Sequence, residues 1–286
     1  MIELAVLFAV LGAASNAVGT AFQRKAASTV DQGGGMRLML ALVRRPAWAI
    51  GIAGVAGAAL FQALALVNGP MALVQPVFIL ELPFALLVAA PLLHRRLSAD
   101  GWTAVGAVVG GLALLLAAAA PSGTRAQAAM ARWVPVLVIT LGVMAGAVLL
   151  ARSSSSRLFR AAALASAAAV GNALTAALLK SATDRLADDG LPAFLGAWQT
   201  YGFALTGIAS VLLLENALQA GPLTASQPAL TIGDASVSLL LGVALFGERI
   251  RTGWWLVPQA IGALVLLCGV LRLARVVVPR PAEAVR

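Results

Sequence analysis

Two carboxylates stand where a lipid environment would make them costly. Glu81 is central in the apolar run Met71–Leu93, and Asp234 is central in Leu223–Phe246. An acidic residue at the middle of a transmembrane helix costs about 2.5–3.5 kcal/mol even on insertion scales. No Lys or Arg falls at the same depth in any apolar run to neutralise them. Three kinds of chemistry fit such groups: a proton held on the carboxyl, a bound cation, or a hydrogen-bond network with neutral partners. Around Asp234, Gln227, Thr231 and Ser238 follow spacings of four, three and four residues, which put all four on one helix face. Around Glu81 only Gln75 keeps the matching stripe, and Glu81 projects about 120° away from it. Asn16, Gly19, Thr20 and Gln23 form a smaller stripe, as do Asn172 and Thr175, while Glu215 and Asn216 come late in their run near Gly221-Pro222.

The candidate solute- or ion-binding residues are therefore Glu81, Asp234, Asn16, Asn172, Gln75, Gln227, Thr231 and Glu215, with Glu81 and Asp234 the metal ligands if the cargo is a cation. Oxygen donors of this kind suit a hard cation such as Mg²⁺. They equally suit an amine or a neutral solute moved with protons. Intramembrane amides also serve as plain interhelical bonds worth about 0.6 kcal/mol, so the amides are weaker candidates than the carboxylates. Glu248, in Gly247-Glu248-Arg249, reads as a local cap or pair. Lone His94, beside Arg95-Arg96, and lone Cys268 exclude zinc sites of ordinary type and intramolecular disulfides. No Walker loop is present, no cofactor is implied, and no nucleophile constellation points to an enzyme.

These residues must be held by helices that cross a bilayer. Of 286 residues, 61% are hydrophobic and 11% charged, against about 25% charged in soluble domains. Nine runs are long enough to span: Glu3–Gln23, Trp48–Val67, Met71–Leu93, Trp102–Ala119, Val134–Ala151, Phe159–Leu179, Leu191–Leu218, Leu223–Phe246 and Trp254–Leu273. The first lacks the basic leading region of a secretory signal and reads as a span. Residues Arg24–Pro46 read as a loop with a surface-lying turn at Met36–Val43. Gly106/Gly110 and Gly142/Gly146 have the spacing that lets helices approach closely. The net charge of +9 is no nucleic-acid signature, because the basic residues lie in short connections between spans. Most of the 20 Lys and Arg fall on the side that holds Arg44, Arg45, Arg95, Arg96 and Arg275, which places the N-terminus outside and the C-terminus in the cytoplasm. The Arg- and Ala-rich usage points to a bacterial cytoplasmic membrane.

The chain repeats itself. A shift of 152 residues lays Gly69-Pro70 on Gly221-Pro222, Gln75-Pro76 on Gln227-Pro228, Gly101-Trp102 on Gly253-Trp254 and Gly110 on Gly262; a shift of 156 lays Asn16-Ala17 on Asn172-Ala173. Residues 1–121 make a first four-span repeat, 122–157 a linking span, and 158–286 a second four-span repeat with a short tail. The odd span between them inverts the second repeat. The expected fold is thus an all-α integral membrane protein of about nine helices in two inverted repeats.

The run Gly-Pro, Gln-Pro, a long apolar span, Gly247-Glu248, Gly253 and a Gly262/Gly269 helix resembles the EamA-type repeat of the drug/metabolite transporter superfamily. The segment from Arg45-Pro46-Ala47-Trp48 to Ala120-Pro121, with four helices per repeat, is similar to the NIPA-like magnesium transporter branch. In the first repeat Arg95-Arg96 replaces Gly-Glu. The resemblance implies a permease that moves a small solute or Mg²⁺ by alternating access. Proton-coupled export of metabolites or drugs is the competing reading, and a non-transporting membrane subunit the reading of another class. The expected partners are the lipid bilayer and the transported solute, with no nucleic acid; a homodimer is compatible.

Overall fold

A computed structural model describes residues 2–27, 45–92, 98–123 and 127–277. The expected surface turn at Met36–Val43, His94 with Arg95-Arg96, and the C-terminal tail lie outside the described residues. The helices are α1 (Ile2–Ala27), α2 (Pro46–Asn68), α3 (Met71–Val77), α4 (Glu81–Leu92), α5 (Ala99–Ala119), α6 (Met130–Ser153), α7 (Arg157–Gly196), α8 (Trp198–Ala220), α9 (Leu223–Phe246) and α10 (Leu256–Val277). Among the described residues, α3 and α4 together and each of the other helices supply nine segments long and apolar enough to cross a membrane. Their outer surface is apolar, with Val138, Leu149, Leu205, Leu240 and Leu264 all exposed. An apolar surface of this extent needs lipid around it. The chain is a multi-pass membrane protein.

Local chemistry sets several ends. Ser98 caps α5 by accepting the Gly101 amide at 3.2 Å, and Ser156 caps α7 by accepting the Phe159 amide at 3.4 Å. Pro46 opens α2 at a position where its missing N–H is no loss. Gly247 ends α9 in the left-handed region at φ 63°, where a side chain would be strained.

The sixth and seventh spans differ from the expected boundaries. The helix that starts at Arg157 does not stop near Leu179 but continues through the polar stretch Ser181–Asp189 to a break at Gly190, φ 81°. Residues 191–196 finish that helical segment, and α8 begins at Trp198 rather than at Leu191. Apolarity marks where lipid is, not where a helix ends; here glycine ends it.

Two helix pairs meet backbone to backbone through glycine. In α1 and α2, a Cβ on Gly19 would stand 2.9 Å from the Gly51 carbonyl, and one on Gly54 2.7 Å from the Gly19 Cα. In α5 and α10, a Cβ on Gly262 would stand 2.6 Å from the Leu115 nitrogen, and one on Gly269 2.7 Å from the Val108 nitrogen. Gly111 completes that seam against Leu266. The spacing at Gly106/Gly110 and Gly142/Gly146 does not serve this purpose, since each of those positions faces open space. The seams use glycines one position away or on other helices.

Beyond the seams, α1 packs on α2 and on the α3–α4 helix, and α7 packs on α8 and α9. α6 lies against α7, and α5 pairs with α10.

Candidate functional site

The third span is broken. Pro76 cannot donate the backbone bond to Ala72, and Phe78–Leu80 form one 3₁₀ turn before α4 restarts at Glu81. A mid-span turn of this kind often marks a hinge. It also changes the rotational phase. At about 120° per residue across three residues, Glu81 comes to within about 60° of the Gln75 face instead of about 120°. The phenyl ring of Phe78 fits at the break because α1 has Gly12 there; a Cβ on Gly12 would stand 2.6 Å from the ring. Asn16 is one turn further along α1 on that same face.

In the second half, α7 and α9 also meet closely, without such a break. Gly233 of α9 sits against Ala169 of α7, a Cβ there falling 2.8 Å from the Ala169 methyl. Asp234 follows Gly233, and Asn172 lies three residues beyond Ala169 on that face of α7. The two halves touch at this level, because Ala235 packs onto the cluster of Ile79, Val108, Leu112, Leu266 and Val270.

Asp234 accepts a bond from the Ser238 hydroxyl at 3.2 Å, one turn along the expected stripe. Glu81, Asp234, Gln227, Thr231, Asn16 and Asn172 are all half-buried. Glu81 is not without an interaction of its own. Gln75 is buried, and its amide nitrogen has no hydrogen-bond partner among the described residues. A buried donor of this kind costs about 1–3 kcal/mol unless something fills the place. Thr175 donates to the Gly171 carbonyl at 2.7 Å and also bonds the Thr206 hydroxyl at 2.9 Å, so it serves helix packing. Glu215 is exposed on the outer surface of α8 and does not join the others. Among the described residues no three acidic, histidine or cysteine side chains converge as a metal cluster.

Sequence reasoning missed a second polar centre, at the end of the bundle that holds the Gly69-Pro70 turn. Glu248 is 2% exposed, and its two oxygens accept the amides of Met71 at 2.6 Å and Ala72 at 2.8 Å. Lys180 is 1% exposed, and its Nζ donates to the Leu66 carbonyl at 2.6 Å and the Gly69 carbonyl at 3.5 Å. Asp184, one turn on, lies 3.7 Å from that Nζ, and the Phe246 ring lies 5.5 Å from it. Burial pushes the Glu248 carboxyl above the usual carboxylate range, while the two amides and the Lys180 charge pull it back. Further bonds join elements at this end. Ser122 and Arg249 exchange backbone bonds at 2.9 and 2.8 Å, and the Arg251 amide donates to Ala119 at 2.9 Å. Gln127 donates to the Ser181 carbonyl at 2.9 Å and accepts the Ser181 hydroxyl at 3.0 Å. The available signals were the carboxylate straight after an apolar span and a lysine inside a long alanine-rich helix. Neither names its partners, which are backbone groups.

No family model matches the chain, and no solved structure matches it. It is 29% identical over 277 residues to an uncharacterised protein of Corynebacterium glutamicum, an alignment covering 95% of each chain.

Proposed function

We propose that the protein is a secondary transporter that carries a small solute or divalent cation of the Mg²⁺ type by alternating access. The observation that carries this reading is the paired arrangement at mid-bundle. In each half an asparagine and a carboxylate lie within about one turn of the same helix contact, Gly12 against Phe78 in the first and Gly233 against Ala169 in the second, and the first-half contact sits at a helix break. Broken helices and polar groups at the meeting of two repeats are how many transporters build a site in lipid. An intramembrane carboxylate is by default a functional group. The matched packing of α1 with α2 and of α7 with α8 supports two inverted repeats related by the shifts of 152 and 156 residues. Proton-coupled export of a metabolite or drug is the second reading, favoured by the Asp234–Ser238 pair, which can hold a proton as readily as a cation.

The test is flux. Purified protein in liposomes containing a Mg²⁺-sensitive dye is given external Mg²⁺, or a pH gradient with a pH dye inside. A Mg²⁺ signal supports the cation carrier, proton movement driven by an added solute supports the exporter, and silence in every condition overturns both. Orientation has its own expected result. With Cys268 replaced by Ser, a cysteine at Ser122 is labelled by an impermeant maleimide from outside the cell and one at Arg45 is not; the reverse pattern would invert the topology.

A further inference from the structure

We infer that Glu248 and Lys180 form the latch of one gate, holding that end of the bundle shut by gripping the turn between α2 and α3. The inference rests on the transporter reading and names the groups that must part when the path opens at that end.

The latch joins distant parts of the chain. Both charged groups belong to the second half, and all four backbone groups they bind belong to the first. Gly69-Pro70 is the turn between two helix ends. The last carbonyls of α2 and the first amides of α3 have no helical partners there. The negative side chain takes the amides and the positive one takes the carbonyls, matching the partial charges at each end. Each charge also compensates the other in a place sealed from water, with Asp184 behind Lys180. Gly69 lets the turn come this close to α1, because a Cβ there would meet the methyl of Ala5 at 2.5 Å. A grip built from charge-assisted bonds is strong while dry and weakens steeply once water enters, which makes such a contact two-state.

The opposite end is built differently. Its counterpart turn, Gly221-Pro222, rests on α7, where a Cβ on Gly221 would stand 2.5 Å from the Arg157 carbonyl. Under the repeat shifts, Glu248 falls on Arg96 and Lys180 on Arg24, so the second half's anion has no counterpart in the first. The sequence therefore gives the two ends different charged groups.

The experiment uses the full chain in membranes with Cys268→Ser and a reporter cysteine at Val74, which is fully buried just behind the latch. The rate of reaction with an impermeant maleimide reads opening. Glu248→Ala and Lys180→Met are each expected to raise that rate about tenfold or more, the equivalent of about 1.4 kcal/mol. A second reporter at Ala165, buried in α7 away from the latch, is expected to stay unreactive. Reaction at both reporters would mean unfolding, and Glu248→Asp then decides: it keeps the buried charge but shortens the arm by one carbon, and must still accelerate reporter 74 alone. Unchanged labelling at 74 in the variants that keep reporter 165 protected overturns the latch. Labelling needs no solute, so the two ideas fail separately. A chain that opens on Glu248→Ala yet carries nothing in liposomes loses the transporter reading, whereas one that carries solute with unaltered labelling loses the latch alone.

Discussion

Glu81→Gln and Asp234→Asn are each expected to lower solute flux in liposomes by roughly tenfold to a hundredfold, the result of losing about 1.5–3 kcal/mol of a hydrogen bond or ion contact to a charged group. Both substitutions keep volume and shape and remove only the charge, so protein amount and thermal unfolding in detergent are expected to stay close to those of the parent. Asn16→Ala and Asn172→Ala, in the same two pairs, are expected to lower flux less than the carboxylate variants, because an intramembrane amide bond is worth about 0.6 kcal/mol. Flux that survives intact in both carboxylate variants would move the site elsewhere. Glu215→Gln, on the exposed surface of α8, is expected to leave flux unchanged.

Gly262→Val is expected to weaken the seam between α5 and α10 and to lower stability in detergent by about 1–3 kcal/mol. The atom facing the new Cβ is the Leu115 backbone nitrogen at 2.6 Å, which cannot swing aside as a side-chain end could. Adding Gly111→Val, on the facing helix, is expected to bring little folded protein to the membrane, since the two backbones then cannot meet. Gly106→Val and Gly142→Val face open space and are expected to stay within about 0.5 kcal/mol of the parent. Thermal unfolding followed by tryptophan fluorescence separates these outcomes. Equal destabilisation by all four would mean that the loss is helix propensity rather than contact.

The residues of the site were readable to different depths. Glu81 and Asp234 stood out because lipid makes any mid-span carboxylate conspicuous, and the repeated Gly-Pro and Gln-Pro align the two halves by sequence. The phase between Gln75 and Glu81 was misread, because a 3₁₀ turn advances the chain differently from an α turn and Pro76 does not announce which will follow. The close-packing glycines were misplaced for a related reason. Spacing of four says that two glycines share a face, but not what that face meets. Glu248 was underrated because its partners are main-chain groups 177 and 176 residues away, and backbone amides leave no mark in a sequence.

The separation between Glu248 and its two partners also has a consequence for biogenesis. Met71 and Ala72 precede it by 177 and 176 residues, so at about 5–20 residues per second a ribosome needs roughly ten to thirty-five seconds to supply it. Through that interval the head of α3 is already in the membrane with its leading amides unmatched. Headgroups, water or the insertion machinery must satisfy them until the ninth span is being made. The head of the third span therefore gains its carboxylate partner only when the chain is nearly complete, and a nascent chain stalled before residue 248 would present that turn without it.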